Sequence, residues 1–361
     1  MFNRISMLII PLGFAALVVA QTQVAAPQST PQSNTSVIDP DGTARITRVV
    51  PVSPMLSPEA RKFVAKFGAG ASAQNHSIAE MRAQADASQE RTTTAAQSLY
   101  PTKVVSATIA GVPVKIVTPP TIPSAKKQRV LICLHAGGFV ADWGSATESI
   151  PIASLTQIKV IAVLYPLSPE NSFPAAVDDT IAVYKELLKT HRASDIGIYG
   201  SSAGATLTAE VAAKLKQQHT ALPAALGVFS GFADFSRSND SLMMYGLFGL
   251  RGTATSDRAD VGISAYVGTT DRRDPVLSPL FSDLHGLPPT LFLTSTRDLL
   301  LSGTTILHRA FLEAGVHAEL VVFEGLPHAF WAAGPRDMPE ALEANRIIAA
   351  FFDRHLGRRA K

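Results

Sequence analysis

From residue 100 onward the chain alternates between short apolar runs and longer stretches with helical periodicity. Residues 104–109 and 112–117 flank Ala110-Gly111 and predict a β-hairpin. Residues 130–134, 160–164, 196–199, 225–230, 291–295 and 318–323 are apolar almost throughout, as strands buried on both faces of a parallel sheet are. Between most of them, residues 175–190, 203–218, 301–313 and 339–355 place apolar side chains at helical spacing. Strands alternating with helices predict an α/β fold, a mostly parallel eight-stranded twisted sheet flanked by helices, over residues 100–357.

Two stretches depart from this rhythm. Residues 57–99 are rich in Ala, Glu, Arg and Gln, with Phe63, Phe67, Ile78 and Met81 at roughly helical spacing. They predict two amphipathic helices, an N-terminal helical cap segment, and both a lid over the site and a place on the sheet's flank fit the pattern. Residues 237–264, with Met243, Met244, Tyr245, Phe248 and Leu250, interrupt the strand–helix order and read as an inserted cap element.

The first residues stand outside the fold. Arg4 precedes an apolar stretch from Met7 to Ala20, followed by the small residues Ala25 and Ala26. This predicts a secretory signal peptide over residues 1–26 and a secreted or periplasmic protein. The apolar stretch is short for a membrane span, so no stable membrane anchor is expected. Residues 27–56 begin rich in Gln, Ser, Thr and Pro and are expected to be a flexible linker.

Composition narrows the chemistry. The 361 residues are 46% hydrophobic and 17% charged, with a formal net charge of +3. The basic residues are scattered, which argues against a nucleic-acid partner. Cys133, the only cysteine, lies within an apolar run and is expected to be buried and inert. His and Cys show no zinc-ligand spacing, so no metal is expected.

The most informative segment is Gly200-Ser201-Ser202-Ala203-Gly204, between the run at 196–199 and the helical pattern at 203–218. Strand, tight turn and helix are the setting of a nucleophile elbow, where flanking glycines let a serine Oγ project from the sheet. Ser202 is therefore the candidate nucleophile, and a serine hydroxyl needs a base to take its proton. His328, in the loop after residues 318–323, is the best placed of nine histidines, and Asp298, after residues 291–295, suits the carboxylate role. The order Ser202, Asp298, His328 is that of α/β-hydrolases. Asp298 also suits a helix N-cap, and Asp271 and Asp274 are weaker carboxylate candidates. After the run at 130–134 stands His135-Ala136-Gly137-Gly138-Phe139. Its glycines let backbone N–H groups approach a substrate, so Gly137, Gly138 and the N–H of Ala203 are the candidate oxyanion hole. His135 is read as a brace for the loop. Phe139, Trp143, Phe330 and Trp331 lie beside these loops in sequence and are candidate substrate contacts.

With these residues the chain resembles the hormone-sensitive-lipase-like esterases of the α/β-hydrolase superfamily. The motifs carrying the resemblance are His135-Ala136-Gly137-Gly138-Phe139, Tyr165-Pro166-Leu167-Ser168-Pro169-Glu170, Phe173-Pro174-Ala175-Ala176-Val177-Asp178-Asp179, Gly200-Ser201-Ser202-Ala203-Gly204, Ser278-Pro279-Leu280, Arg297-Asp298 and His328-Ala329-Phe330. The resemblance implies a cofactor-free serine esterase acting on small-molecule esters of short to medium chain. It also implies an N-terminal helical cap, Glu170 as a support for the catalytic loops, and pairing into a homodimer. Two positions depart from the family's pattern: Ala136 replaces a glycine, and Ser201 replaces an aspartate before the nucleophile. A lactonase or deacetylase would use the same residues, and an inactive ligand-binding protein would use the same fold. Retention of Ser202, Asp298 and His328 together argues against the last.

Overall fold

The computed structural model describes residues 34–66, 77–250 and 257–357. The expected signal peptide, His76 and the basic C-terminal residues Arg358, Arg359 and Lys361 lie outside them. Two compact units divide the chain, one ending at Pro51 and one beginning at Val52. In the first, strands β1 (Thr35–Ile38) and β2 (Ala44–Thr47) pair as an antiparallel hairpin within the stretch expected to be a linker. Every residue of both strands is exposed, so no apolar pattern marks them.

The second unit starts with helices α1 (Pro58–Lys66) and α2 (Ile78–Leu99). Ser77 and Glu80 form a reciprocal capping box that fixes where α2 begins. The sheet follows, from the hairpin β3 (Lys103–Ile109) and β4 (Val112–Thr118) through β5 (Val130–Leu134) to helix α3 (Ser149–Thr156) and β6 (Lys159–Val163). Next come α4 (Ala175–Leu188), β7 (Ile196–Ser201), α5 (Ala203–Gln217), β8 (Ala225–Phe229), α6 (Asp240–Met244) and α7 (Asp257–Val267). The chain closes with β9 (Thr290–Ser295), α8 (Leu301–Glu313), β10 (Ala318–Phe323), α9 (Phe330–Ala333) and α10 (Pro339–His355).

The eight strands run in the order β10-β9-β8-β7-β5-β6-β4-β3. All neighbours are parallel except β3 with β4 and β4 with β6. Along β5 the side chains of Val130, Ile132 and Leu134 enter one core, while Leu131 and Cys133 enter the other. This period of two gives each face its own apolar layer. Helices α4, α5 and α8 cover the first face, and α1, α3, α9 and α10 the second. Cys133 is fully buried and its thiol is pushed up by burial, as an inert core side chain should be.

Candidate active site

Three loops at the carboxyl ends of the strands converge on one place. β5 lies between β6 and β7, with Leu134 paired to Gly200, so the chain leaves β5 directly beside the turn that ends β7. That closeness depends on glycine. A Cβ on Gly204 would meet the Leu134 carbonyl oxygen at 1.9 Å, and one on Gly200 would meet Gly204 at 2.4 Å. Between them Ser202 is held at φ 57° and ψ −121°, a conformation unfavourable for a side-chain-bearing residue. Its N–H donates to Phe229 O at 2.9 Å, which ties the turn to β8.

His328 reaches this serine from the loop after β10. Its Nε2 lies 2.9 Å from Ser202 Oγ, and its Nδ1 lies 2.7 Å from Asp298 Oδ1. Asp298 follows β9 and is completely buried. Its Oδ2 accepts the hydroxyls of Thr294 at 2.8 Å and of Ser230, while Oδ1 also accepts the Leu300 N–H at 2.9 Å. Burial alone would raise the Asp298 carboxyl, but the His328 imidazole and these donors outweigh it and hold the group below its ordinary value. Nothing in the sequence pattern singles out Ser230, which follows β8 at φ 53° and reaches Asp298 only through the order of the strands.

The loop from His135 to Gly144 carries the other predicted residues. Gly137 and Gly138 have φ of 138° and 60°, and no acceptor among the described residues takes the N–H of either, or of Ala203. Ala136 has no positive φ, so a Cβ is tolerated where the family pattern has glycine. Both its backbone groups are engaged. Its N–H donates to Glu148 Oε1 at 3.1 Å, and its carbonyl accepts His135 Nδ1 at 2.9 Å and the Trp143 N–H at 3.1 Å. His135 stacks on Tyr165 at 4.1 Å, and the Tyr165 hydroxyl donates to the His135 carbonyl at 2.7 Å. It is a brace, as the sequence suggested. Asp271 and Asp274 take part in neither hydrogen bond to His328.

The aromatic candidates divide. Trp143 is half exposed beside Gly137. Phe139, Phe330 and Trp331, the other candidate contacts, are buried. Phe139 stacks on Tyr266 of α7 at 3.7 Å, and Trp331 meets Phe229 at 6.3 Å and Phe330 at 5.1 Å. These rings anchor the loops from behind. α7, which begins inside the predicted cap element and runs beyond it, also presses on the loop, since a Cβ on Gly262 would meet Gly138 O at 2.9 Å.

On the other side, α2 braces the loop. Arg82 donates to Val140 O at 2.8 Å and Ser168 O at 2.9 Å, and it pairs with Glu170 at 2.7 Å and 2.9 Å. Gln89 donates to Asp142 O at 2.6 Å. Glu170 therefore acts on the loop through Arg82, whose guanidinium holds its carboxyl well below the ordinary range. Among the described residues, His317, Glu319 and His355 form one group able to share a metal ion. Both oxygens of that carboxylate are already bound by Arg354 at 2.8 Å. No described helix is long and apolar enough to cross a membrane.

A mostly parallel sheet with a strained serine at a strand-to-helix turn, its Oγ meeting a histidine braced by a buried aspartate, defines the α/β-hydrolase architecture. Residues 131–332 match the family model described as alpha/beta hydrolase fold. An esterase of Acinetobacter venetianus is 32% identical over 234 residues, covering 63% of this chain and 75% of that protein. The crystal structure of an esterase E25 superposes with a TM-score of 0.75 at 31% identity, covering 86% of this chain and 98% of that one. That of an esterase from the bacterial hormone-sensitive lipase family gives 0.70 at 26%, covering 83% and 99%. The chain belongs to the α/β-hydrolase family, among its hormone-sensitive-lipase-like ester hydrolases.

Proposed function

We propose that this chain is a serine carboxylesterase that cleaves short- to medium-chain esters of small molecules through an acyl-enzyme. The observation that carries the reading is the hydrogen-bonded series from Ser202 through His328 to Asp298, built on a strained turn. His328 Nε2 takes the Ser202 proton as Oγ attacks the ester carbonyl, and Asp298 keeps the ring oriented and stabilises the imidazolium that forms. The tetrahedral oxyanion is held by the N–H groups of Gly137, Gly138 and Ala203. His328 then protonates the departing alcohol. Water, deprotonated by the same imidazole, attacks the acyl-enzyme and releases the acid and the free serine.

The buried Phe139, Phe330 and Trp331 leave Trp143 as the aromatic candidate for substrate contact, and the pressure of α7 on the loop supports a compact acyl site. Hydrolysis of a p-nitrophenyl ester series from acetate to palmitate, by the protein and by Ser202→Ala, tests the reading. Activity that peaks at the shorter chains and vanishes in the variant supports it. Absence of hydrolysis together with absence of fluorophosphonate labelling overturns it. Export belongs to the same proposal and is checked by sequencing the mature N-terminus, which should begin after the small residues ending at Ala26. Pairing into a homodimer is checked by sedimentation.

A further inference from the structure

Glu148 stands at the entry to α3 with 6% of its surface exposed. Its Oε1 accepts the Ala136 N–H at 3.1 Å, at the root of the glycine loop. Its backbone carbonyl accepts the Tyr199 hydroxyl at 3.2 Å, from the strand that delivers Ser202. The carboxyl lines one small cavity with Tyr199, Ser201, Phe229, Trp331 and Asn345, and Trp331 Nε1 donates to the Ser201 hydroxyl at 3.2 Å. A Cβ on Gly144 would meet Glu148 Oε1 at 1.9 Å. The other carboxyl oxygen, Oε2, is buried without a hydrogen-bond partner among the described residues. An apolar side chain would fill this space without that cost, so the carboxyl requires an explanation.

We propose that Glu148 is a positioning residue for ester hydrolysis, joining the glycine loop to the nucleophile turn from behind so that the N–H groups of Gly137, Gly138 and Ala203 stay aimed at one point. The inference rests on the reading of Ser202 as nucleophile. One residue thus meets the loop backbone at Ala136 through its carboxyl and the Tyr199 hydroxyl, on the strand that delivers Ser202, through its own carbonyl. A displacement of about 1 Å in such a group can cost ~10²-fold in rate.

The same site makes the arrangement sensitive to pH. Burial pushes the carboxyl up to about 8, Asp142 adds to the rise, and the Ser201 hydroxyl, the Ala136 N–H and Arg336 oppose it. Cys133 on β5, Tyr199 on β7 and Tyr165 after β6 also feel its charge. The protonated form is therefore favoured at neutral pH. A proton on Oε2 turns the acceptor without a partner into a donor within the cavity that Ser201 also lines, and leaves Oε1 to accept from Ala136. Above pH 8 the group ionises, a charge is left beneath both halves of the hole, and turnover falls.

The test is kcat and KM for p-nitrophenyl butyrate, from about pH 6 to about pH 10, for the protein, Glu148→Gln, Glu148→Leu and Ser202→Ala. Glu148→Gln keeps the acceptor for Ala136 and cannot ionise. It should match the parent at pH 7 within about 2-fold and lose the parent's fall in kcat near pH 8. Glu148→Leu should lower kcat about 10-fold or more at every pH with KM little changed, because Ala136 loses its acceptor. If the parent hydrolyses the ester and Ser202→Ala does not, but Glu148→Gln keeps the same alkaline fall, the inference is wrong while the esterase reading stands. A kcat in Glu148→Leu equal to the parent's also overturns it. No hydrolysis by the parent overturns the esterase reading instead.

Discussion

The glycine pair after β5 offers a contrast whose outcome the geometry fixes in advance. Gly137 sits at φ 138°, and a Cβ there would lie 1.7 Å from Ala141 O and 2.7 Å from Ala141 C. Both are backbone atoms of the same turn, in which the N–H groups of Val140 and Ala141 donate to Gly137 O at 3.1 Å and 3.2 Å. No rotamer change relieves that overlap, so Gly137→Ala must move the turn and with it the direction of its N–H groups. Gly138 sits at φ 60° with nothing within 4 Å of a built Cβ. Alanine there meets only the left-handed backbone penalty, roughly 1–2 kcal/mol, and the N–H keeps its aim. Loss of one oxyanion donor typically costs ~10²–10³ in kcat, or about 2.7–4 kcal/mol. Gly137→Ala should therefore lose about 10²-fold or more in kcat, and Gly138→Ala no more than about 10-fold. Steady-state hydrolysis of p-nitrophenyl butyrate measures both, with thermal melting as a check that each variant folds. A folded Gly137→Ala as active as Gly138→Ala would mean that the hole is not built from this turn.

Asp298→Asn should leave the protein folded and lower kcat about 10⁴-fold, because the amide favours the wrong tautomer of His328; a loss under about 10-fold in ester hydrolysis would remove Asp298 from the mechanism. Arg82→Ala severs α2 from the Val140 and Ser168 carbonyls and should lower kcat about 10-fold, whereas Glu170→Gln, which leaves both contacts in place, should cost about 2-fold or less. Equal losses in the two variants would show that the ion pair is what matters. Glu148 also links pH to stability. A carboxyl raised from 4.5 to about 8 in the folded protein favours folding fully below pH 4.5, and the contribution is lost as pH climbs through about 8. The slope is about 1.4 kcal/mol per pH unit and the whole effect at most about 5 kcal/mol. Melting of the parent should therefore decline more steeply than that of Glu148→Gln between about pH 5 and about pH 8, and parallel curves would contradict the linkage.

Much of the fold was legible because parallel strands buried on both faces leave unbroken apolar runs, and β5, β7, β8 and β9 lie where those runs do, while β10, at the sheet's edge, is only half-buried. Elements without such contrast escaped. α3 has Ser149, Ile150, Pro151, Ile152, Ala153 and Thr156 all buried, so no polar face alternates with an apolar one and its interior proline reads as a break. The hairpin of β1 and β2 escaped for the opposite reason, since it buries nothing. Both failures follow from reading periodicity, which reports a boundary between core and water and is silent where an element lies wholly on one side.

The site divides along a similar line. Ser202, Asp298 and His328 follow the ends of strands, so chain order and turn chemistry were enough to pick them out. Direction was not readable. Phe330 and Trp331 stand two and three residues beyond His328, yet the short helix α9 turns both into the core, where they meet Phe323 and Phe229. Arg82, Glu148 and Ser230 gave no signal because each acts across a large sequence separation on a group that another element supplies. Their arrangement still has a common logic. The glycine pair itself has no side chain to fix it, so its shape must be imposed by its neighbours. Arg82 and Gln89 hold the loop's outer rim from α2, Tyr266 stacks on Phe139 from α7, and Glu148 ties its root to Tyr199 on the strand that leads to Ser202. A loop that must present bare N–H groups to a substrate cannot also spend them on its own structure, and the burden of positioning it passes to these residues.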